Sequence, residues 1–110
     1  MIVIFKSAAA GDVIMFGDVA HRMMTFMGKE ADAKGIVTVE QLPDAIAGLR
    51  AAIEADKQQR AELREEDRPQ FEIGEGGVKR PYVSLTQRAA PLLELLEWSL
   101  KKKKPVVWGV

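Results

Sequence analysis

The sequence contains no cysteine, one histidine and one tyrosine. Without cysteine there are no disulfides, no thiol nucleophile and no thiolate-held metal, and the composition fits a reducing compartment. Neither sign of charge is in excess: lysine plus arginine and aspartate plus glutamate number 16 each. No global field then draws the chain to nucleic acid or to an anionic membrane, so any such role must come from a local cluster. No apolar run approaches the roughly 20 residues of a membrane-spanning helix. The first apolar run is too short for a signal peptide and has no basic leader. These absences point to a cytoplasmic protein without membrane contact. No internal repeat appears.

What is present is a chain of 110 residues, 47% hydrophobic and 29% charged. That is one domain's worth of globular sequence, able to bury a core without staples. Its longest strongly apolar stretch compatible with a helix is Asp12 to Met27, DVIMFGDVAHRMMTFM. At about 100° per residue its apolar side chains cover a wide arc. Asp18, His21, Arg22 and Thr25 fill one narrow polar sector, shared with Ile14. The pattern predicts a central core helix over Asp12 to Met27, capped by Asp12 and closed at Gly28, with Phe16 and Met23 buried. Ile2 to Lys6 predicts a strand before it, and Ser7 to Gly11 a small-residue turn.

After a polar loop, Lys29 to Gly35, Ile36 and Val37 predict a brief extended segment. Thr38 and Gln41 have capping-box spacing, and Pro43 suits the first position of a helix. Its buried stripe is Ile46, Leu49 and Ile53; Asp56 and Arg60 take the next places, so core contact should stop there. Glu54 to Gln70 reads as a solvated helix end and linker. Phe71 to Ile73 and Val78 to Arg80 flank Gly74-Glu75-Gly76-Gly77 as a hairpin would. Ser84 and Gln87 form a second capping box. It opens a third helix with a core face of Leu85, Ala89, Leu92, Leu93, Leu96 and Leu100. Pro91 should kink or restart this helix. Lys101 to Lys104 and Pro105 close it, and Val106 to Val110 is a last strand, paired with the first. The hairpin segment or a second subunit would extend that pair. The expected fold is a single α+β domain over residues 1–110: three main helices packed on a small sheet that includes the N- and C-terminal strands.

Candidate chemistry is sparse. His21 has Asp18, Arg22 and Thr25 nearby, which allows a general base or a small-ligand site. No second histidine, cysteine or serine–aspartate set completes it, so no catalytic residue is assigned. Metal-ligand spacing is missing, and the Gly74-Glu75-Gly76-Gly77 loop lacks the lysine and the following helix of a phosphate loop. No metal and no cofactor is expected. Lys101, Lys102, Lys103 and Lys104 could contact nucleic acid, but they also complement the negative end of the third helix. Met15, Met23, Met24 and Met27 fit core filling better than a soft binding groove. Pro91, Leu95 and Trp98 line up as a second apolar ridge on the third helix, rimmed by Gln87, Glu94 and Lys101. Such a ridge marks association, unless segment Phe71 to Val83 folds over it.

The stretches VIFKS, DVIMFGDVAHRMM, GIVTVEQLPDAIAGL, VSLTQRAAPLLELLEWS and the closing VVWG, in that order, resemble a small proteobacterial family, domain of unknown function eighteen-forty. The resemblance implies a compact bacterial cytoplasmic protein and carries no catalytic motif. The expectation is therefore a non-enzymatic interaction or assembly module, a homo-oligomer, and most simply a dimer, built through the third helix. The alternatives are a nucleic-acid-binding regulator using the lysine cluster and, more weakly, a site around Asp18, His21 and Arg22.

Overall fold

A computed structural model describes residues 1–110. Strand β1 (Ile2–Ser7) turns at Ala8 and Ala9 into strand β2 (Ala10–Phe16). The two pair antiparallel, with Ile2 opposite Phe16, Val3 opposite Met15, Ile4 opposite Ile14 and Phe5 opposite Val13. Side chains alternate between faces along a strand. Val3, Phe5 and Met15 are buried on the inner face, while Ile2, Ile14 and Phe16 are exposed on the outer one. This corrects the helix expected from Asp12. A strand that is apolar on both faces spreads its side chains around a helical wheel as widely as a core helix does. Asp12 is consequently no helix cap, and Phe16 is 48% exposed instead of buried.

Helix α1 is shorter than expected, Gly17–Phe26, and Phe16 caps it without a side-chain hydrogen bond. It buries Val19, Ala20, Met23 and Met24. Its end follows the sequence reading. Gly28 takes φ 79°, Gly28 N–H donates to the Thr25 carbonyl at 3.0 Å and Lys29 N–H to the Met24 carbonyl at 2.8 Å. This is a Schellman closure, which needs the left-handed conformation glycine takes without strain.

Strands β3 (Gly35–Val37) and β6 (Val106–Trp108) complete a four-stranded antiparallel sheet of order β2-β1-β6-β3. The terminal strands pair as expected, Phe5 opposite Trp108, with their rings 5.6 Å apart. The extension of that pair comes from β2 and β3 rather than from the hairpin segment. Trp108 donates its indole N–H to the Asp32 carbonyl at 3.1 Å. It lies where a Cβ on Gly35 would be, so only glycine lets β3 close over the indole.

The three helices and the inner face of the sheet share one apolar core. The capping box of Thr38 and Gln41 forms around a 3-10 turn, Val39–Gln41, and helix α2 (Leu42–Glu62) follows with Pro43 in its first turn. Leu42, Ala45, Ile46, Leu49 and Ile53 are buried. A Cβ on Gly48 would collide with the Phe26 carbonyl, which marks the closest approach of α1 and α2. Beyond Ile53 the stripe turns polar and gains a different task. Asp56 accepts from Thr86 N–H at 3.3 Å and from Thr86 Oγ1 at 3.1 Å, and Arg60 Nε donates to Asp56 at 3.0 Å. Helix α3 (Leu85–Lys102) opens with its capping box: Gln87 N–H donates to Ser84 Oγ at 3.2 Å and Ser84 N–H to Gln87 Oε1 at 3.3 Å. It runs through Pro91 without a break. Lys103, at φ 56°, ends it in the left-handed conformation, and Lys104 N–H closes onto the Ser99 carbonyl at 2.8 Å. One apolar cluster joins both layers, from Val3 and Phe5 to Leu92, Leu96 and Trp108.

Candidate interaction surface

Between α2 and α3, strands β4 (Phe71–Ile73) and β5 (Lys79–Pro81) form the expected hairpin as a separate two-stranded sheet. Its second strand begins at Lys79 instead of Val78. Its polarity is inverted. Glu72 and Arg80, paired across the strands, point inward, while Phe71, Ile73 and Val78 are exposed. Charge, not apolar contact, fastens it. Arg80 Nη2 donates to Asp18 Oδ2 at 2.8 Å and to Glu72 Oε2 at 3.4 Å, and Arg88 Nη2 donates to Glu72 Oε1 at 2.6 Å. The Arg80 guanidinium lies 4.6 Å from the Phe16 ring centre, within cation–π range. The Nε atoms of both arginines are buried without a hydrogen-bond partner.

Burial alone would raise the pKa of Asp18. Hydrogen bonding and the charge of Arg80, with the Val19 N–H, outweigh it, and the Asp18 carboxyl lies below its ordinary value. Glu72 follows the same balance: burial raises it, Arg88 and Arg80 lower it further, and the net direction is down. Hydrogen bonding to Asp18 in turn raises the pKa of Arg80. The network thus keeps two carboxylates ionised at the end of β2 and the start of α1.

The residues singled out in the sequence fall in different places. Asp18 turns to Arg80 rather than to His21, and the Arg22 guanidinium lies 5.8 Å from the Phe26 ring centre. The sector around His21 is therefore split. No group of three His, Cys, Asp or Glu side chains converges, and no helix is long and apolar enough to cross a membrane. Of the lysines, Lys102 Nζ donates to the Ala9 carbonyl at 2.9 Å, while Lys101 and Lys102 lie 5.0 and 5.4 Å from the Trp98 ring centre. Glu94 and Glu97 share a shallow recess with Trp98 and Lys101, so a phosphate approaching Trp98 meets two carboxylates.

The ridge expected through Pro91, Leu95 and Trp98 is corrected at its middle. Leu95 is 2% exposed and belongs to the core. Pro91 and Trp98 are seven residues apart, nearly two whole turns, and so share one line; Leu95 is rotated about 40° from that line toward the core. The hairpin does not cover the line either. It meets the other end of the helix, through Arg88. Pro91 and Trp98 therefore remain exposed, on the flank of α3 opposite to α2, which α3 meets through Thr86 and Glu97.

That flank lies beside β2. Ser99 Oγ donates to Ser7 Oγ at 2.8 Å near one end, and Arg88 lies by Phe16 near the other. Helix α3 thus runs antiparallel to β2 along its length. Strand β2 is an outermost strand. Gly17 N–H donates to the Met1 carbonyl at 2.9 Å, which sets residues 1 and 17 on a hydrogen-bonded rung. The rungs alternate, so Met15 and Val13 bond to β1. The main-chain N–H of Phe16 and the N–H and C=O of Ile14 point outward, to the side that no strand occupies. A groove of about 350 Å³ follows this edge, lined by Ile14, Phe16, Val83, Gln87, Arg88 and Pro91 among others.

The family described as Domain of unknown function (DUF1840) matches over residues 1–108. The chain belongs to this family. Neither the curated proteins nor the solved structures contain a match to it. The family match spans every element from β1 to β6, so the open edge and the flank beside it are both inside the family domain. Sequence reasoning placed Pro91 and Trp98 on the surface of the third helix but put Ile14 and Phe16 in a helix instead of on this strand edge. The signal was there: Ile14 sat alone among polar residues on the helical wheel, a misfit that an edge strand removes.

Proposed function

We propose that the chain is a non-enzymatic assembly module that associates with a second copy of itself through the flank of α3 beside β2. The observation that carries this reading is the exposure of Pro91 and Trp98 alongside an open strand edge. Natural proteins usually blunt or cover such an edge, because its unpaired main-chain groups are a template for another chain. Here it is flanked by apolar side chains, a combination that favours association. A net charge of +0 means that two copies do not repel each other. The proposed setting is a bacterial cytoplasm, which the cysteine-free composition fits.

Sedimentation velocity over a concentration series tests the reading. The wild-type chain is expected to pass from monomer to dimer. Pro91→Glu should raise the dissociation constant at least tenfold, on the order of 1.4 kcal/mol or more. It should leave the fold intact, because glutamate restores the N–H that the Gln87 carbonyl lacks. A wild-type chain that stays monomeric throughout, or a Pro91→Glu chain that associates as before, overturns it.

A further inference from the structure

Resting on that reading, we infer that the contact is made strand to strand: β2 pairs antiparallel with β2 of a second copy, about a two-fold axis at Ile14. The two four-stranded sheets then become one continuous sheet of eight strands. The β1–β2 ladder is regular from Phe16 back to Val13 and shifts by one residue between Val13 and Ala10. In the regular stretch the outward main-chain groups belong to Ile14 and Phe16, so a two-fold pairing on hydrogen-bonded rungs centres on Ile14, with Asp12, in the shifted stretch, as the other candidate. Centring on Asp12 sets two aspartates side by side on one face, and like charges directly opposite each other destabilise a sheet. Centring on Ile14 sets isoleucine beside isoleucine and Asp12 opposite Phe16 of the second copy.

The second arrangement is also complementary in charge. Asp12 and Phe16 are both exposed on β2, and Arg80 lies over the Phe16 ring. The carboxylate of Asp12 from the second copy is thereby brought toward the Arg80 guanidinium, whose side chain is 14% exposed. Asp12 has no ion pair within its own chain. Two-fold symmetry makes the exchange twice, once at each end of the paired strands.

In this register Asp12 to Phe16 of each copy pair, about 17 Å of strand at about 3.4 Å per residue, beside an α3 of 18 residues, about 27 Å long at about 1.5 Å per residue. A contact about 17–27 Å long and about 20 Å across both layers removes on the order of 350–500 Å² from each copy, at the small end for a specific interface, whose lower bound is about 1,000 Å² in all. A contact of this size predicts a dimer that dissociates on dilution.

The absence of cysteine makes the test clean. Across an antiparallel hydrogen-bonded rung the Cα atoms are about 5.5 Å apart, inside the disulfide range. Ile14→Cys, at an exposed position, should therefore form a disulfide-linked dimer under mild oxidation at least tenfold faster than Asp12→Cys. In this register the two Asp12 positions are about 15 Å apart, four residues along the strand and one strand spacing across. The unsubstituted chain is sedimented in parallel. If it dimerises but Ile14→Cys links no faster than Asp12→Cys, the strand pairing is wrong while the assembly reading stands. If it is monomeric at every concentration, both fall.

Discussion

Phe16 and Met23 carry side chains of similar bulk in neighbouring elements, yet the fold uses them in opposite ways. Met23 is 0% exposed within the inner-face cluster. Met23→Ala should cost on the order of 2–5 kcal/mol, the range for large-to-small core changes. Phe16 is half out of the core and covered by a guanidinium, so Phe16→Ala should cost under about 2 kcal/mol, the upper range of a cation–π contact. Chemical denaturation of the two variants checks the order, and equal losses would contradict the placement of Phe16 on the outer face. Asp18 and Glu72 give a second prediction. Their folded-state pKa values lie below the ordinary 3.8 and 4.5. A depressed carboxyl contributes stability that is fully present above its ordinary value and is lost as pH falls through the folded one. The hairpin should thus hold firmly above about pH 4.5 and loosen below about pH 3.8, by protonation of these two groups. Amide exchange of Glu72 and Arg80 followed from neutral to acid pH checks this. Protection unchanged through the acid range would contradict it.

Among the elements, the ones written in local chemistry were legible and the ones decided by pairing were not. Both capping boxes, the Gly28 closure, the end of core contact at Ile53 and the hairpin around Gly74 to Gly77 all follow from side chains that act within a few residues. Strand β2 does not. Its inner residues Val13 and Met15 and its outer residues Ile14 and Phe16 are all apolar, and a strand of this kind carries no alternation to separate it from a helix. What decides is β1, whose residues Ile2 to Phe5 meet Phe16 to Val13 one for one, a partner invisible to periodicity. Strand β3 was read as a brief extended segment at Ile36 and Val37, but its place in the sheet was not, because it depends on Gly35 admitting Trp108. Of the residues in the expected ridge on α3, Pro91 and Trp98 are exposed and Leu95 is buried. The reason is angular: the core arc of α3 is wide enough to take in a residue about 40° off the Pro91–Trp98 line.

At the scale of the whole molecule, the three helices and the inner face of a four-stranded sheet share one core, which leaves an apolar outer face and an open β2 edge. The α3 flank lies against that edge. In the proposed dimer, net neutrality, an unpaired Asp12 and the Arg80-capped Phe16 are what fit the edge to a second copy of itself. The most direct measurement is residue-resolved amide hydrogen exchange along β2 at low and high protein concentration. Val13 and Met15, bonded to β1, serve as internal references and should stay protected at both. The account predicts that Ile14 and Phe16 exchange freely in dilute protein and become protected as concentration rises. Ile14 and Phe16 amides that exchange freely at every concentration would contradict it.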